Sequence, residues 1–449
     1  MKIIYDITRL YVRRNETTPT GIDRVDIHYV LYLLKSKIEV IFVRGEKGSL
    51  NTFPANQAKL LIQKLARLWI DSDWPKNAIC IINDKKNIIS AITNSDTYIY
   101  INVSHQVVTG RYGLLKLSEK GNVRLVFFCH DLIPIDYPEY VGDQGREKHS
   151  ALVNLMLWTG DLIILNSEYS KNCLIDYARR NNYSCPKLIV NHLGNEQSLA
   201  TMHWKKEADH THFVYLSTFE PRKNHILLFL VWKKLYSILG EKTPKLLLVG
   251  KKGWQIDWLE RYFLVEPNVS RFVERKENVS DFELKNIMLN SYASLNPSYV
   301  EGWGLPAVES ISMGIPTVCS NIPAYREATQ GLATYLSPTN ADEWLDHILL
   351  ILNKKIHIPE SQNFIYETWD DHFLVLQKNL KEILETNIHK TANELYLENQ
   401  ASFDFVKTKE APTTKKQNNK NYKCVQIRLL KSKFRIIRSI ARILYNRTL

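Results

Sequence analysis

Several features are missing from these 449 residues, and each absence closes off a class of protein. The six cysteines, Cys80, Cys129, Cys173, Cys185, Cys319 and Cys424, form no C-x-x-C pair. Neither a disulfide framework nor a structural zinc site is expected, and Cys129 and Cys319, in apolar strand-like runs, read as buried reduced thiols. No run of roughly eighteen apolar residues occurs, so no membrane-spanning helix is expected. The opening Met1-Lys-Ile-Ile-Tyr-Asp meets charge too early for a signal peptide and reads as a first strand. No internal repeat recurs at a period of roughly 20 to 50 residues. From Ala411 to Leu449 there is no acid at all, but eleven Lys or Arg. That segment carries nearly all of the net charge of +12, which leaves residues 1–410 close to neutral. A neutral body argues against nucleic acid as a partner, and a basic tail calls for an anionic one. What is present, 45% apolar and 11% aromatic residues over this length, suffices for two or three globular domains.

The most informative stretch is Asn296 to Glu309, N-P-S-Y-V-E-G-W-G-L-P-A-V-E. It reads as a strand ending at Asn296-Pro297, a glycine-bearing loop, and a helix starting near Leu305-Pro306, where proline is tolerated because its missing N–H is not needed. Helix N-terminal N–H groups favour an anion in front of them, and Gly302 and Gly304 let a phosphate approach the backbone. Glu301 falls in the loop and Glu309 about one turn into the helix, placed to accept bonds from sugar hydroxyls. Spacing alone fits a surface loop with two solvated glutamates equally well.

Elsewhere, strand-like runs at 2–7, Glu39–Val43, Ala78–Ile82, Thr97–Asn102, Arg124–Cys129 and Asp161–Asn166 alternate with helix-like runs, the pattern of a parallel α/β sheet. Thr20-Gly21-Ile22 opens a helix behind a polar Tyr11–Pro19 loop. Val126-Phe-Phe-Cys stops abruptly at His130-Asp131, and strand ends are where α/β folds place ligands. Ser167 suits a helix N-cap after the 162–165 strand. A second set begins at His212, whose strand runs into Glu220-Pro-Arg222-Lys223-Asn. A fork and a point charge side by side can neutralise a diphosphate. Further strands are read at 245–249, at Val269–Val273 (followed by a loop with Glu274, Arg275 and Lys276) and at Pro316–Ser320. Helices are read from Ser280, with Glu283 completing a capping box, over Ala341–Leu352 and over 367–385. Taken singly, Gly21, the H-D pair and the R-K pair each also fit ordinary loop or surface residues.

E-G-W-G-L-P-A-V-E resembles the E-x7-E motif of retaining glycosyltransferases of family 4, and S-I-S-M-G-I-P-T-V-C-S-N-I-P-A-Y-R-E continues that pattern through Glu327. T-G-I-x-R-V, H-D-L-I-P, N-S-x-x-S and E-P-R-K-N are similar to the family's other segments, so the resemblance runs over about residues 1 to 385. It departs at Glu274-Arg-Lys, where many relatives have glycine near the base pocket, and at Thr329-Gln-Gly-Leu-Ala-Thr-Tyr, where relatives commonly have G-D-A-A. The resemblance implies an α/β GT-B fold: two Rossmann-like doubly wound domains facing each other across a cleft. They would span 1–195 on the acceptor side and 205–368 on the nucleotide-sugar side, with 369–386 crossing back as a helix. It further implies a nucleotide-sugar co-substrate with no other cofactor and no metal, cationic side chains and a helix dipole taking the metal's place. Arg222 and Lys223 would hold the diphosphate, aided by the helix start at Gly304, Leu305 and Pro306 and by Gly21. Glu309 would bind the ribose, Glu301 the transferred sugar, and His130 would orient that sugar near the acceptor, with the donor's anomeric configuration kept. The H-D-L-I-P type suggests mannose from GDP-mannose first, then dTDP-rhamnose or UDP-sugars. The acceptor would be a lipid-linked oligosaccharide of a bacterial surface polysaccharide, lipopolysaccharide O-antigen or capsule. Other polysaccharide-assembly proteins are further partners. A GT-B epimerase or hydrolase, or a catalytically silent assembly partner, are the competing classes.

The tail has its own periodicity. Residues 387–423 are polar and read as a flexible linker. In 424–449, Ile427, Leu430, Phe434, Ile437, Ala441 and Leu444 step at helical spacing, and Arg428, Lys431, Arg435, Arg438 and Arg442 step beside them. One apolar and one basic face suit a helix lying in an anionic membrane surface, which would make the protein cytoplasmic and peripheral on the inner face of the plasma membrane. Packing on the body or on a partner protein fits the same pattern. Deleting residues 424–449 is expected to abolish co-flotation with anionic liposomes and to spare turnover of a soluble acceptor. Undiminished flotation would refute the membrane assignment.

Overall fold

The computed structural model describes residues 1–70, 86–104, 110–142, 144–195, 204–205, 209–354, 364–365 and 367–385. The strand read at Ala78–Ile82 and the whole tail, with Arg428, Lys431, Phe434, Arg435, Arg438 and Arg442, lie outside the described residues. Among the described residues no helix is long and apolar enough to cross a membrane.

Two sheets organise the chain. The first contains β1 (Lys2–Asp6), β2 (Glu39–Glu46), β3 (Ser49–Phe53), β4 (Tyr98–Asn102), β5 (Val123–Cys129), β6 (Leu162–Leu165) and β7 (Lys187–Val190), in the order 3-2-1-4-5-6-7. The second contains β8 (His212–Leu216), β9 (Lys245–Val249), β10 (Val273–Lys276), β11 (Ser291–Asn296), β12 (Thr317–Ser320) and β13 (Thr334–Leu336), in the order 10-9-8-11-12-13. All neighbours are parallel except the β2–β3 hairpin. Parallel strands are covered on both faces, which is why β5, Val-Arg-Leu-Val-Phe-Phe-Cys, is buried throughout. In each sheet the chain order reverses between two central strands, β1 and β4 in the first and β8 and β11 in the second. Such a reversal leaves a crevice beyond the carboxyl ends of the strands.

Two local expectations are corrected. Val269 belongs to a helical turn, Pro267–Ser270, and the strand is Val273–Lys276, so Glu274, Arg275 and Lys276 are strand residues. β10 is an edge strand, and charged side chains are what keeps an exposed edge from pairing further. That charge disguised it as a loop. The stretch read as a Tyr11–Pro19 loop is entered by a short helix, Thr8–Val12. Ser280 does cap its helix, accepting from the Glu283 N–H at 3.2 Å.

The helix Trp369–Glu385 packs into the core of the first lobe through Phe373, Leu376, Leu380 and Ile383. The Phe373 ring stacks on Tyr32 at 4.0 Å, and His372 bridges the Tyr29 hydroxyl, 2.7 Å, and the His192 carbonyl, 2.7 Å. That core also takes in Trp303, Val308 and Ala328 from the second lobe, so the lobes share apolar contact. Phe373→Ala, which empties this junction, is expected to cost about 3–5 kcal/mol of unfolding free energy in urea titration. A loss below about 1 kcal/mol would show that the helix is not integral to the core.

Candidate functional site

The crevice of the second lobe is built from the loops after β8 and β11, the two strands that flank its order reversal. After β8 the chain makes a single turn, Pro221–Lys223, and then reverses at Asn224, whose φ of 55° is left-handed. The buried Asn224 amide fixes that turn by donating to the carbonyls of Pro297, 2.9 Å, and Pro338, 2.8 Å. After β11 the loop 297–304 carries Glu301 into the same space. Its carboxylate accepts from Arg222 Nη1 at 2.8 Å and from Lys223 Nζ. Arg222 Nε contacts Glu220 at 2.6 Å. Glu301 is 6% exposed, so this is a buried charge cluster, not a surface pair.

The charges set one another's proton affinities. Burial alone would raise the Glu301 carboxyl, but Lys223 and Arg222 outweigh it and hold it at about 2. Burial opposes the charge on Arg222, yet Glu301 and Glu220 raise its proton affinity. Burial and the neighbouring Arg222 pull Lys223 below the usual lysine range despite Glu301. Ser298 is the neutral hub behind the cluster. It bonds the hydroxyls of Tyr215 and Tyr325, 3.1 Å each, and lowers Glu301 through a further hydrogen bond. The Tyr215 hydroxyl also donates to the Lys223 carbonyl at 2.9 Å.

Directly after Glu301 comes the helix Leu305–Ser312, with Pro306 in its first turn. Gly304 stands before it with φ of 104°, and a Cβ there would lie 2.5 Å from the Tyr325 ring. Both facts restrict the position to glycine. Glu309 is half-buried on the second turn of this helix. The N-terminal N–H groups add a partial positive charge to the crevice already holding Arg222 and Lys223.

The first lobe closes over this site. Gly21 begins the helix Gly21–Lys35 behind a Thr20–Asp23 capping box, and a Cβ on it would sit 3.7 Å from Leu305. His130, at the end of β5, is buried, and its Nε2–H donates to the Val103 carbonyl at 2.7 Å. Burial pushes its imidazole down to about 4, so it is neutral at pH 7. A Cβ on Gly302 would lie 2.6 Å from the His130 carbonyl, which is how closely the two loops approach. Thus Gly21 stands beside Leu305 and the His130 carbonyl beside Gly302, while Arg222, Lys223 and Glu301 form one cluster just ahead of the helix that follows Gly304.

A set of polar contacts latches the lobes around that space. Ser167, which caps the helix Glu168–Arg180, also donates to the Gly302 carbonyl at 2.8 Å. Glu327 of the second lobe accepts from the Glu168 and Tyr169 N–H groups, 2.6 and 3.2 Å, and so caps a helix of the other lobe. His192 bridges Glu327, 3.2 Å, and Glu367, 3.3 Å, and stacks on Trp303 at 4.6 Å. Lys251 donates to the Thr18 carbonyl across the same gap at 3.0 Å.

With this geometry in view, the comparisons with known proteins are specific. Residues 201–369 match the family described as glycosyl transferases group 1. The matched segment takes in the strands β8 to β13 and the loops that carry Arg222, Lys223 and Glu301. The chain is 26% identical over 277 residues to the serotype-specific mannosyltransferase WbdA of Escherichia coli, covering 57% of this chain and 33% of that one. It is 28% identical over 237 residues to the E. coli O-antigen chain mannosyltransferase B, covering 50% of this chain and 60% of that one. This chain therefore spans a third to three-fifths of those relatives' lengths. The sucrose-phosphate synthase of Thermosynechococcus elongatus superposes with a TM-score of 0.58 at 15% identity, covering 86% of this chain and 99% of that one. At that identity the likeness speaks to fold alone, and the fold is GT-B.

Within the matched segment, Glu301, Arg222 and Lys223 were readable, but most of what supports them was not. Ser167 was readable as a helix cap but not as a contact to Gly302, and the bracing roles of Asn224, Ser298 and Tyr325 and the bridge at His192 depend on partners distant in sequence. A triplet of the D-x-D type, which metal-dependent transferases often use, does occur at Asp71-Ser72-Asp73, outside the described residues.

The latch titrates. Burial would lower His192, but bonds to Glu327 and Glu367 outweigh it and raise it to about 9; Glu327 is lowered in return. A raised imidazole stabilises the latched state fully below its ordinary value near 6.5, and that contribution is lost as pH rises through about 9. The wild-type thermal midpoint should therefore fall more steeply between pH 7 and about 9.5 than that of His192→Gln. Parallel curves would refute the ionic latch.

Proposed function

We propose that the protein is a retaining glycosyltransferase that moves a hexose from a nucleotide sugar to a lipid-linked glycan in bacterial surface polysaccharide synthesis. The observation that carries this reading is the buried Arg222–Glu301–Lys223 cluster in front of the Leu305–Ser312 helix N-terminus, faced by Gly21 and His130. A donor diphosphate competes with Glu301 for the two cations, which frees the carboxylate to take hydroxyls of the transferred sugar. Arg222, Lys223 and the helix N-terminus then offset the charge that develops on the leaving diphosphate, an electrostatic contribution made by groups already in place. Glu309 holds the ribose. Neutral His130, its ring held by the bond from Nε2 to the Val103 carbonyl, orients the transferred sugar. No metal is required in this scheme.

Mannose is the first choice of donor sugar, from GDP-mannose, since the curated relatives are named as mannosyltransferases of O-antigen chains. The tail sequence supports a place at an anionic membrane surface, where a lipid-linked acceptor is found, with other polysaccharide-assembly proteins as neighbours.

A thermal-shift screen of GDP-mannose, UDP-hexoses and dTDP-rhamnose is the direct test, because a ligand that binds the folded state raises its apparent stability. GDP-mannose is expected to give the largest shift. A larger shift with a UDP- or dTDP-sugar would replace the donor, and no shift with any would refute the transferase reading. Lys223→Ala and Glu309→Ala should each lower kcat/KM for transfer at least tenfold, about 1.4 kcal/mol or more. Wild-type rates in both would refute the site.

A further inference from the structure

A row of tyrosines crosses from one lobe to the other at this site. Tyr137 and Tyr140 follow His130-Asp131 in the first lobe, in and just before the turn Pro138–Tyr140. Their rings stack with centroids 6.2 Å apart and 22° between planes. Tyr140 then stacks on Tyr299 of the second lobe, at 5.8 Å and 3°. Tyr299 stands two residues before Glu301, and its N–H donates to the Arg222 carbonyl at 2.9 Å. At the other end the Tyr137 hydroxyl lies 3.5 Å from that of Tyr169, the residue whose N–H is capped by Glu327. The row is therefore tied on one side to the loop of His130 and on the other to the loop of the charge cluster. Tyr137, Tyr140, Tyr169 and Tyr299 are all half-buried. Such rings keep apolar surface and a hydroxyl available at once.

That combination suits a pyranose. Its C–H face packs on an aromatic face, and its hydroxyls find phenol oxygens at the rim. Tyrosine presents this area with few rotatable bonds to order. Asp131, Asp136 and Glu139 lie on the same segment, and their charge disfavours an anionic sugar. We propose that Tyr140 and Tyr299, backed by Tyr137, form the platform on which a neutral hexose of the acceptor stacks beside the transfer site. The proposal rests on the transferase reading above. Because the platform is contributed half by each lobe, it is whole only when the lobes are latched, so acceptor binding and closure favour each other.

The test uses the full chain, the donor that gives the largest thermal shift, and methyl α-mannopyranoside as acceptor probe. Tyr140→Ala and Tyr299→Ala are expected to raise the acceptor KM about three- to tenfold while the donor KM stays within about twofold. Tyr140→Phe and Tyr299→Phe, which keep the ring, should restore most of the acceptor affinity. Saturation-transfer NMR should show the probe's ring protons receiving signal from wild type and losing it in Tyr140→Ala. An unchanged acceptor KM in both alanine variants would overturn the platform. So would a donor KM that rises in step with the acceptor KM, since the tyrosines would then serve only to hold the lobes together. Preference for a hexose 6-phosphate over the neutral glycoside would overturn the neutral class. Failure of the transferase reading shows separately, in wild type that shifts with no nucleotide sugar.

Discussion

Glu301 lies between Arg222 and Lys223 in a space nearly closed to water, and much of the second lobe is arranged to keep it there. An uncompensated charge at such depth would be costly; removing one partner of a buried pair typically destabilises by about 3–5 kcal/mol. The compensation requires two loops, far apart in sequence, to meet within hydrogen-bonding distance. Asn224 ties the first loop to the second through the Pro297 carbonyl, and Ser298 ties the second back through Tyr215. Gly304 lets the chain turn immediately into its helix beneath the Tyr325 ring. The same two cations that Glu301 satisfies are the ones a diphosphate would seek, so the stability of the site and its capacity for an anionic ligand come from one set of charges.

The second constraint is that the site is divided between lobes. Gly21 and His130 reach it only because Gly302 can approach the His130 carbonyl and because Ser167, Glu327 and His192 hold the facing loops together. The latch places a second-lobe carboxylate on a first-lobe helix N-terminus, where the dipole favours it. The helix Trp369–Glu385 adds an apolar fastening on the same side, sharing its core with Trp303 and Val308. Polar and apolar contacts thus converge on the short loop that carries Glu301. A tyrosine row, Tyr137, Tyr140 and Tyr299, spans the same gap.

Sequence alone determined the parts whose cause is local. The strand, loop and helix over 291–312 were readable because alternation, two glycines and a proline in the first turn each act within a few residues. The Ser167 and Ser280 caps and the helix over 341–352 were readable for the same reason. Where local chemistry serves a distant purpose, it misled. The charged edge strand Val273–Lys276 looked like a loop because its charges answer to the sheet's open edge, not to strand propensity. Only the tertiary structure decided that Glu301 pairs with both cations, that Asn224 and Ser298 brace them, that His192 is a charged latch and His130 a neutral donor. A proton affinity and an ion pair depend on which groups share a dry space. That is fixed by how two sheets bring their strand ends together, over separations of 80 to 180 residues that no sequence window contains.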